Sequence, residues 1–527
     1  MSKITRRDFN RQLALGVAGM ATLGASFASV EGDKPAINAT SKRPNFVFIS
    51  SDQHSFRFSR FMGHPLVRTP NLDKIASRGV VFENNYCGSP VCAPARSCMM
   101  TGMYSSDLNS FGNTTVYDGS YPTWGKRLRD SGYYCWGNGK IDLNNAYDLG
   151  FEGELESGNA QDPDITELFR RPTIFRVDAR GMVNGKSRTE RSPFDVNVAN
   201  NVSDFIRNKT KNLNKPWAVY AGFHVPHPPF KGLKDYFDYY LPLVHPSPVP
   251  EKYLENLEMP MPYQVQRYFD RIATPIASEK IARAYAGYFA MITELDEYIG
   301  RIYDSLEASG QLDNTYFIYT TDHGEALGYN GLWLKNNLYE GAAHVPLVVS
   351  GPGLTPGQRI RKPTGHIDLI ATMMEWACLG HIKELRGTSL TPLLRGETNG
   401  GPQLAYTESH SEGNPAGSCM IRVGDWKLMH FTWYGDYLFN LKDDPNEYHN
   451  LIHSPDYKEK AVEMQNKLHN FVDTEKITMR AFSRQNQFLE KFTKSLSEEK
   501  LVGLLKSRLG EGQARYMAQK LKSGMLS

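Results

Sequence analysis

The chain has 527 residues, with 60 Lys+Arg against 57 Asp+Glu, 40% hydrophobic and 12% aromatic residues, 45 Gly, 30 Pro and 6 Cys. That length corresponds to two or three ordinary domains, or one large domain with a satellite, and can bury a substantial core. The composition excludes a disordered, collagenous or coiled-coil chain and a small disulfide framework, and a net charge of +3 gives no reason to expect a nucleic acid partner.

Residues 1–28 carry Lys3, Arg6, Arg7 and Arg11 against Asp8, so the whole formal +3 lies in them. A mild apolar, Gly-rich run from Leu13 to Phe27 follows, with small residues at Ser26 and Ala28. A basic start, an apolar middle and a small-residue end predict a bacterial export signal, and Arg6-Arg7 before Phe9 marks the twin-arginine type. The protein is therefore expected in the periplasm or outside the cell. An N-terminal anchor is the alternative; Gly16, Gly19, Gly24, Thr22 and Ser26 make it the poorer one. No later run offers the ~20 apolar residues of a membrane span, so none is expected in the mature chain.

Short β-rich runs then alternate with helical patterns, which predicts an α/β fold with a mixed, mostly parallel sheet between helices. Three apolar runs end in chemically capable residues. Asn45 to Ser50 leads into Ser51-Asp52-Gln53-His54, Trp217 to Phe223 into His224-Val-Pro-His227, and Tyr316 to Thr321 into Asp322-His323-Gly324-Glu325. Ligands bind beyond the carboxyl ends of strands in open α/β sheets, so these endings can converge. Asp52 and Asp322 supply carboxylate oxygens, Gln53 an amide oxygen and His323 an imidazole. That set suits Ca²⁺ or Mg²⁺ better than zinc, and Mn²⁺ is compatible with one imidazole. Taken singly, each Asp is as readily a turn cap.

Between the first two runs lies Cys92-Ala-Pro94-Ala-Arg96-Ser-Cys98-Met-Met100-Thr101-Gly102. Pro94 suits a first helical turn. Cys92 then stands at a helix N-terminus, where free N–H groups favour an anion, with Arg96 one turn on. A thiolate nucleophile is one reading. A phosphatase loop would need Arg at position 98, where Cys98 stands, and Cys87, Cys92 and Cys98 lack the C-x-x-C pair of a zinc knuckle.

Cys92-x-Pro94-x-Arg96 with Met100-Thr101-Gly102 resembles the signature of the formylglycine-dependent sulfatases of the alkaline phosphatase superfamily. The likeness continues in order through Asp52-Gln53, Gly139-Lys140, Pro226-His227-x-Pro229, Asp322 to Glu325, Lys335, Tyr339-Glu340 and Asp444-Pro-x-Glu447-x-x-Asn450-Leu451. It implies that a maturation enzyme oxidises Cys92 to 3-oxoalanine, whose hydrate is the nucleophile. It further implies a divalent metal, Ca²⁺ by preference, held by Asp52, Gln53, Cys92, Asp322 and His323. Arg96 would orient the nucleophile, Lys140 and Lys335 would grip the sulfate, and His227 would protonate the leaving oxygen. Asn113 matches a sulfate-binding Asn of choline-sulfatase-like members, or is a turn residue. His224 is assigned to substrate binding, or to shaping the turn before His227.

Two departures stand out. Gln53 replaces the second of two Asp found in many members, as in the branch with choline sulfatases and phosphonate monoester hydrolases. Asp142 stands where the family's Gly-Lys-x-His has His, so Asp142 is the candidate proton acceptor.

The expected organisation is a catalytic domain over 42–395, a smaller α+β domain over 400–475, and a helical tail over 476–527. The boundary falls at Gly396 to Gly401. The tail carries 11 basic and 4 acidic residues, either a solvated face or a contact for an acidic partner. The function read from all this is an exported sulfatase acting on a sulfated carbohydrate. A phosphonate or phosphodiester hydrolase is the alternative, and a silent glycan-binding relative the third reading.

Overall fold

A computed structural model describes residues 43–523 except 116, 159–183, 245–256, 270–275, 398 and 411–413. The export signal read at residues 1–28 lies outside the described residues. So do parts of the loops between Leu149 and Asn214 and between Phe230 and Tyr263.

The strands in chain order are β1 (Asn45–Ser51), β2 (Val80–Tyr86), β3 (Tyr134–Lys140), β4 (Glu152–Glu156), β5 (Lys186–Arg188), β6 (Trp217–Gly222), β7 (Lys231–Leu233), β8 (Thr315–Thr321), β9 (His344–Ser350), β10 (Gln358–Ile360) and β11 (Thr364–Gly365). Nine of them form the main sheet in the order β10-β2-β9-β8-β1-β6-β3-β4, with β11 also on β2. Every pairing is parallel except those of β9, which runs against both β2 and β8. The three apolar runs thus become neighbours, with Phe48 of β1 opposite Tyr220 of β6 and Ile318 of β8. The expected mixed, mostly parallel sheet is what the chain forms.

Strand alternation divides the core into two layers. Val47, Ile49, Val219, Ala221, Phe317 and Tyr319 face one side; Phe46, Phe48, Ala218, Tyr220, Tyr316 and Ile318 face the other. The helices that cover them include α1 (Pro70–Arg78), α2 (Cys92–Thr101), α3 (Trp124–Asp130), α4 (Pro193–Asp204), α5 (Ser278–Ala308) and α6 (His366–Trp376). The first layer receives Leu72 and Ile75 of α1, Val198 and Val202 of α4, and the buried stripe of α5. The second receives Met99 and Met100 of α2, Trp124 and Leu128 of α3, and Ile370 and Met373 of α6. Each such side chain contributes about 1.5–3 kcal/mol when fully buried. α2 stops at Gly102, which adopts φ 74.

A four-stranded antiparallel sheet follows, β12 (Ala405–Ser409), β13 (Ser418–Val423), β14 (Trp426–Phe431) and β15 (Gly435–Asn440), paired in that order. β12 meets the main sheet through Glu408 N to Gly88 O at 3.1 Å and Thr407 Oγ1 to Cys87 O at 2.7 Å. Then come α7 (Lys458–Phe471), α8 (Thr474–Ser495), α9 (Glu498–Leu509) and α10 (Glu511–Lys522). Asp473 caps α8 by accepting from Lys476 N. Early in α8, Ile477 and Ala481 bury Phe111, Arg480 donates to Ser106 O at 2.7 Å, and Arg484 lies 3.7 Å from Asp118. The end of α8 forms a separate core with α9 and α10, built on Leu489, Leu501, Leu505, Met517 and Leu521. Among the described residues, no helix is long and apolar enough to cross a membrane.

Candidate active site

The site forms where the parallel strands end. β1 delivers Asp52 and Gln53, β8 delivers Asp322 and His323, β3 ends on Lys140, and α2 begins at Cys92. Neighbouring residues of a strand point apart, and Gln53 breaks that alternation by adopting φ 70, in the left-handed region. Gly139 is required beside Lys140: its φ is 97, and a Cβ there would lie 2.1 Å from Gly222 O.

Asp52, Cys92, Asp322 and His323 are buried, with ligand atoms within 4.8 Å of one another. His323 Nδ1 bonds the Gly324 carbonyl at 3.0 Å. A carbonyl only accepts, so Nδ1 carries the proton and Nε2 keeps its lone pair. Nε2 lies 3.8 Å from Asp52 Oδ1 and 3.7 Å from Asp322 Oδ1. Gln53 Nε2 donates to Glu325, and Gln53 Oε1 is buried without a hydrogen-bond partner. An orphaned buried acceptor costs about 1–3 kcal/mol, and a hard cation would satisfy it. The two carboxylates, the amide oxygen and the imidazole nitrogen fit Ca²⁺, Mg²⁺ or Mn²⁺.

Arg96 ties the strand ends together. Its Nε lies 3.0 Å from Asp322 Oδ2, its Nη1 donates to Lys140 O at 2.8 Å and Tyr220 OH at 2.9 Å, and its Nη2 donates to Ser51 O at 3.2 Å. Nη2 is also 3.5 Å from Asp52 Oδ2. Lys140 Nζ sits 2.6 Å from Asp52 Oδ2 and 3.3 Å from Asp142 Oδ2. Lys335 Nζ reaches Cys92 Sγ at 2.7 Å, and Sγ is 3.3 Å from His323 Nε2.

These charges set the protonation states. Burial pushes the Asp52 carboxyl up, but Lys140, His227, Lys335 and Arg96 together hold it well below the usual carboxylate range. Burial, reinforced by Asp52, drives the Cys92 thiol far up against the pull of Lys335 and Lys140. The unmodified Cys92 is thus a thiol at neutral pH, which overrides the thiolate reading of the helix N-terminus. Burial and then Lys335 keep the His227 imidazole well below its ordinary value, with Asp52 opposing. Its Nδ1 donates to Pro228 O at 2.7 Å.

The structure therefore gathers Asp52, Gln53, Cys92, Arg96, Lys140, Asp142, His227, Asp322, His323 and Lys335. Asn113 stands beside them, its Oδ1 accepting from Ala93 N at 3.0 Å. His224 lies at the rim instead, 2.6 Å from Glu156 and stacked on Phe194 at 3.9 Å. Sequence reasoning missed Tyr220, whose hydroxyl accepts from Arg96 and donates to Lys140 O. Alternation along β6 was the available signal, since it puts Tyr220 on the face of α2.

An α/β sheet whose strand ends gather carboxylates, an imidazole, two lysines and a buried arginine around one cysteine is built to receive an anionic ester. The family model described as Sulfatase matches residues 44–379, and that described as N-sulphoglucosamine sulphohydrolase, C-terminal, matches residues 328–474. A choline-sulfatase of Rhizobium meliloti is 31% identical over 433 residues, covering 79% of this chain and 84% of its own. Arylsulfatase K of Xenopus laevis is 28% identical over 470 residues, covering 84% of this chain and 85% of its own. Among solved structures, the phosphonate monoester hydrolase of Agrobacterium radiobacter shares the fold with a TM-score of 0.65 and 24% identity over 81% of this chain and 95% of its own. BT4656, solved with its substrate D-glucosamine-2-N,6-O-disulfate, does so with a TM-score of 0.67 and 23% identity over 84% of this chain and 98% of its own. The chain belongs to the sulfatase family and is a sulfuric ester hydrolase. The family uses a metal ion and formylglycine.

Proposed function

We propose that the protein is an exported sulfatase that hydrolyses sulfate esters of a carbohydrate, with Cys92 converted to 3-oxoalanine by a formylglycine-generating enzyme. The observation that carries this is the flanking of Cys92 by Lys335 and by the Lys140–Asp52 pair, a buried cationic cradle around a position that is inert as a thiol. The hydrate of a converted Cys92 would supply one hydroxyl as nucleophile toward sulfur, displacing the alcohol oxygen, and a second whose deprotonation would expel sulfate and restore the aldehyde. A divalent cation, Ca²⁺ by preference, would add positive charge against the sulfate oxygens when held by Asp52, Gln53, Asp322 and His323.

The chain's own residues do the rest. Lys140 and Lys335 hold the sulfonyl oxygens in a water-poor pocket, where fixed charges act most strongly. Arg96 keeps Asp52, Asp322 and the attacking hydroxyl in register. Burial and Lys335 favour neutral His227; the charge of an entering sulfate favours its protonated form, which then serves the leaving alkoxide. Asp142 accepts the proton from the second hydroxyl. Asn113 and His224 contact the substrate.

The sulfated sugar bound to the BT4656 fold neighbour supports a carbohydrate substrate. Gln53 and the phosphonate monoester hydrolase neighbour favour a second reading, phosphonate monoester hydrolysis. The test is a mass spectrum of the Cys92 peptide from the native source, then rates on sulfated glycans, an aryl sulfate and a phosphonate monoester. An active protein with unmodified Cys92 sinks the nucleophile. Faster phosphonate turnover selects the second reading. Glycan affinity without turnover marks a silent relative.

A further inference from the structure

Glu325 closes the run Asp322-His323-Gly324-Glu325 and is fully buried. Its Oε2 accepts from Gln53 Nε2. Its Oε1 accepts from Leu327 N at 2.8 Å and Leu334 N at 2.6 Å. All three partners are donors, and the Glu325 oxygens accept from each of them.

A carboxamide carries an oxygen and an NH₂ of nearly equal shape on a rotatable bond, and only the oxygen can bind a cation. Which end faces a pocket is decided by what holds the other end. We propose that Glu325 is a positioning residue that takes the Gln53 Nε2 and so leaves Gln53 Oε1 as the end offered to the metal. This rests on the reading of Asp52, Gln53, Asp322 and His323 as a cation site, and the unpartnered Gln53 Oε1 is the second observation that supports it. Through Leu334 N, the same carboxylate holds the residue preceding Lys335. One buried group thereby fixes both a metal ligand and the approach of a sulfate-gripping lysine.

The pairing also explains why this chain carries an amide at position 53. A carboxylate there would meet the Glu325 carboxylate, two acceptors that could join in a buried place only by sharing a proton. Replacing both residues reverses the polarity: an amide at 325 would donate to a carboxylate at 53, which keeps its other oxygen for the cation.

The test is calorimetric titration of Ca²⁺ alone into the full chain stripped by chelator, with melting of the metal-free proteins. Glu325→Gln is expected to weaken binding about 10–100-fold, the usual effect of losing an outer-shell partner of a ligand, with the metal-free melting temperature kept. Gln53→Glu is expected to weaken it similarly, and the double variant Q53E/E325Q to recover most of the loss. Unchanged affinity in E325Q, or a double variant no tighter than Q53E, overturns the proposal. So does failure of the unsubstituted protein to bind Ca²⁺, Mg²⁺ or Mn²⁺. Should E325Q fail to fold, the comparison of Q53E with the double variant decides. Sulfate ester turnover is measured alongside; its absence with Ca²⁺ binding intact counts against the sulfatase reading and not against Glu325.

Discussion

Lys335 Nζ lies 2.7 Å from Cys92 Sγ, although 243 positions separate them in the chain. Burial opposes the charge on Lys335, yet the Asp52 carboxylate nearby raises its affinity for the proton, and it stays an ammonium. An ammonium held in a buried pocket at the reacting position is placed to stabilise charge that grows during sulfate transfer. Lys335→Ala is expected to lower kcat by about 10²–10³-fold, as loss of comparable oxyanion donors does. A change confined to KM in steady-state kinetics would remove Lys335 from that role.

Burial and the neighbouring Asp52 make Cys92 unreactive until it is converted, against the pull of Lys335. Of the six free cysteines only Cys378 is exposed, and thiol chemistry needs both access and the thiolate. Iodoacetamide at neutral pH is expected to label Cys378 and to spare Cys92 in the folded chain, as read from peptide masses. Cys92→Ala should abolish turnover and leave the melting temperature nearly unchanged. Rapid labelling of Cys92 would contradict the buried thiol.

Lys427 of β14 bridges two buried carboxylates, Glu340 at 2.9 Å and Glu447 at 2.7 Å. Glu340 opens the turn after the Lys335 loop, and its N–H donates to Glu447 Oε2 at 2.7 Å. The smaller sheet thereby anchors the loop that carries Lys335. Lys427→Met would leave both carboxylates without their shared cation, and removing one member of a buried pair costs about 3–5 kcal/mol. Urea unfolding measures this, and a loss below about 1 kcal/mol, the ordinary effect of a point substitution, would show that the cluster carries little stability.

Much of the site was legible because its residues end strands. Asp52, His227 and Asp322 follow apolar runs of strand length, and the one-turn spacing of Cys92 and Arg96 around Pro94 marked the helix start. The resemblance added Lys140 and Lys335, which alone read as surface charges. What was not legible depends on register between distant segments. Arg96 meets Tyr220 because β6 lies between β1 and β3, Gln53 meets Glu325 because β1 pairs with β8, and Lys427 reaches Glu340 because the second sheet abuts the first. The His224–Glu156 contact likewise needs the β3–β4 and β3–β6 pairings. The tail was read as helices, but the separate core around Leu501 and Leu505 was not, since a helical stripe does not name its partner.

Away from the site, burial pushes the carboxyls of Asp296 and Asp368 up to about 7 each. Backbone donors hold them, Leu72 N at 2.8 Å and Asn71 N at 3.0 Å for Asp296, and Gly365 N at 2.8 Å and Thr388 N at 2.7 Å for Asp368. Both folded values exceed that of an unfolded Asp, about 3.9, so between the two the native state binds more protons. The stability from these groups is complete below about pH 4 and is lost as pH rises through 7. Melting from pH 5 to 8 should therefore show a downward contribution that flattens in Asp296→Asn and Asp368→Asn. An unchanged slope in both variants would mean the two aspartates are already ionised at pH 5.

Asp142 carries the largest chemical consequence of the departures from the family pattern. Its Oδ2 is 3.3 Å from Lys140 Nζ and 3.8 Å from Arg96 Nε, and its φ of 51 turns the chain two residues after the lysine. A carboxylate so placed is paired with two cations and stands where other members have an imidazole. If it accepts the proton whose loss releases sulfate, Asp142→Asn slows that release and spares the first transfer. General bases contribute about 10²–10⁴-fold. The variant should therefore give a burst of alcohol product followed by a steady rate at least about 10²-fold below the unsubstituted one. Lys140 remains paired with Asp52 at 2.6 Å in either case, so a loss of the burst itself would assign Asp142 to holding Lys140, and unchanged turnover would leave it neither task.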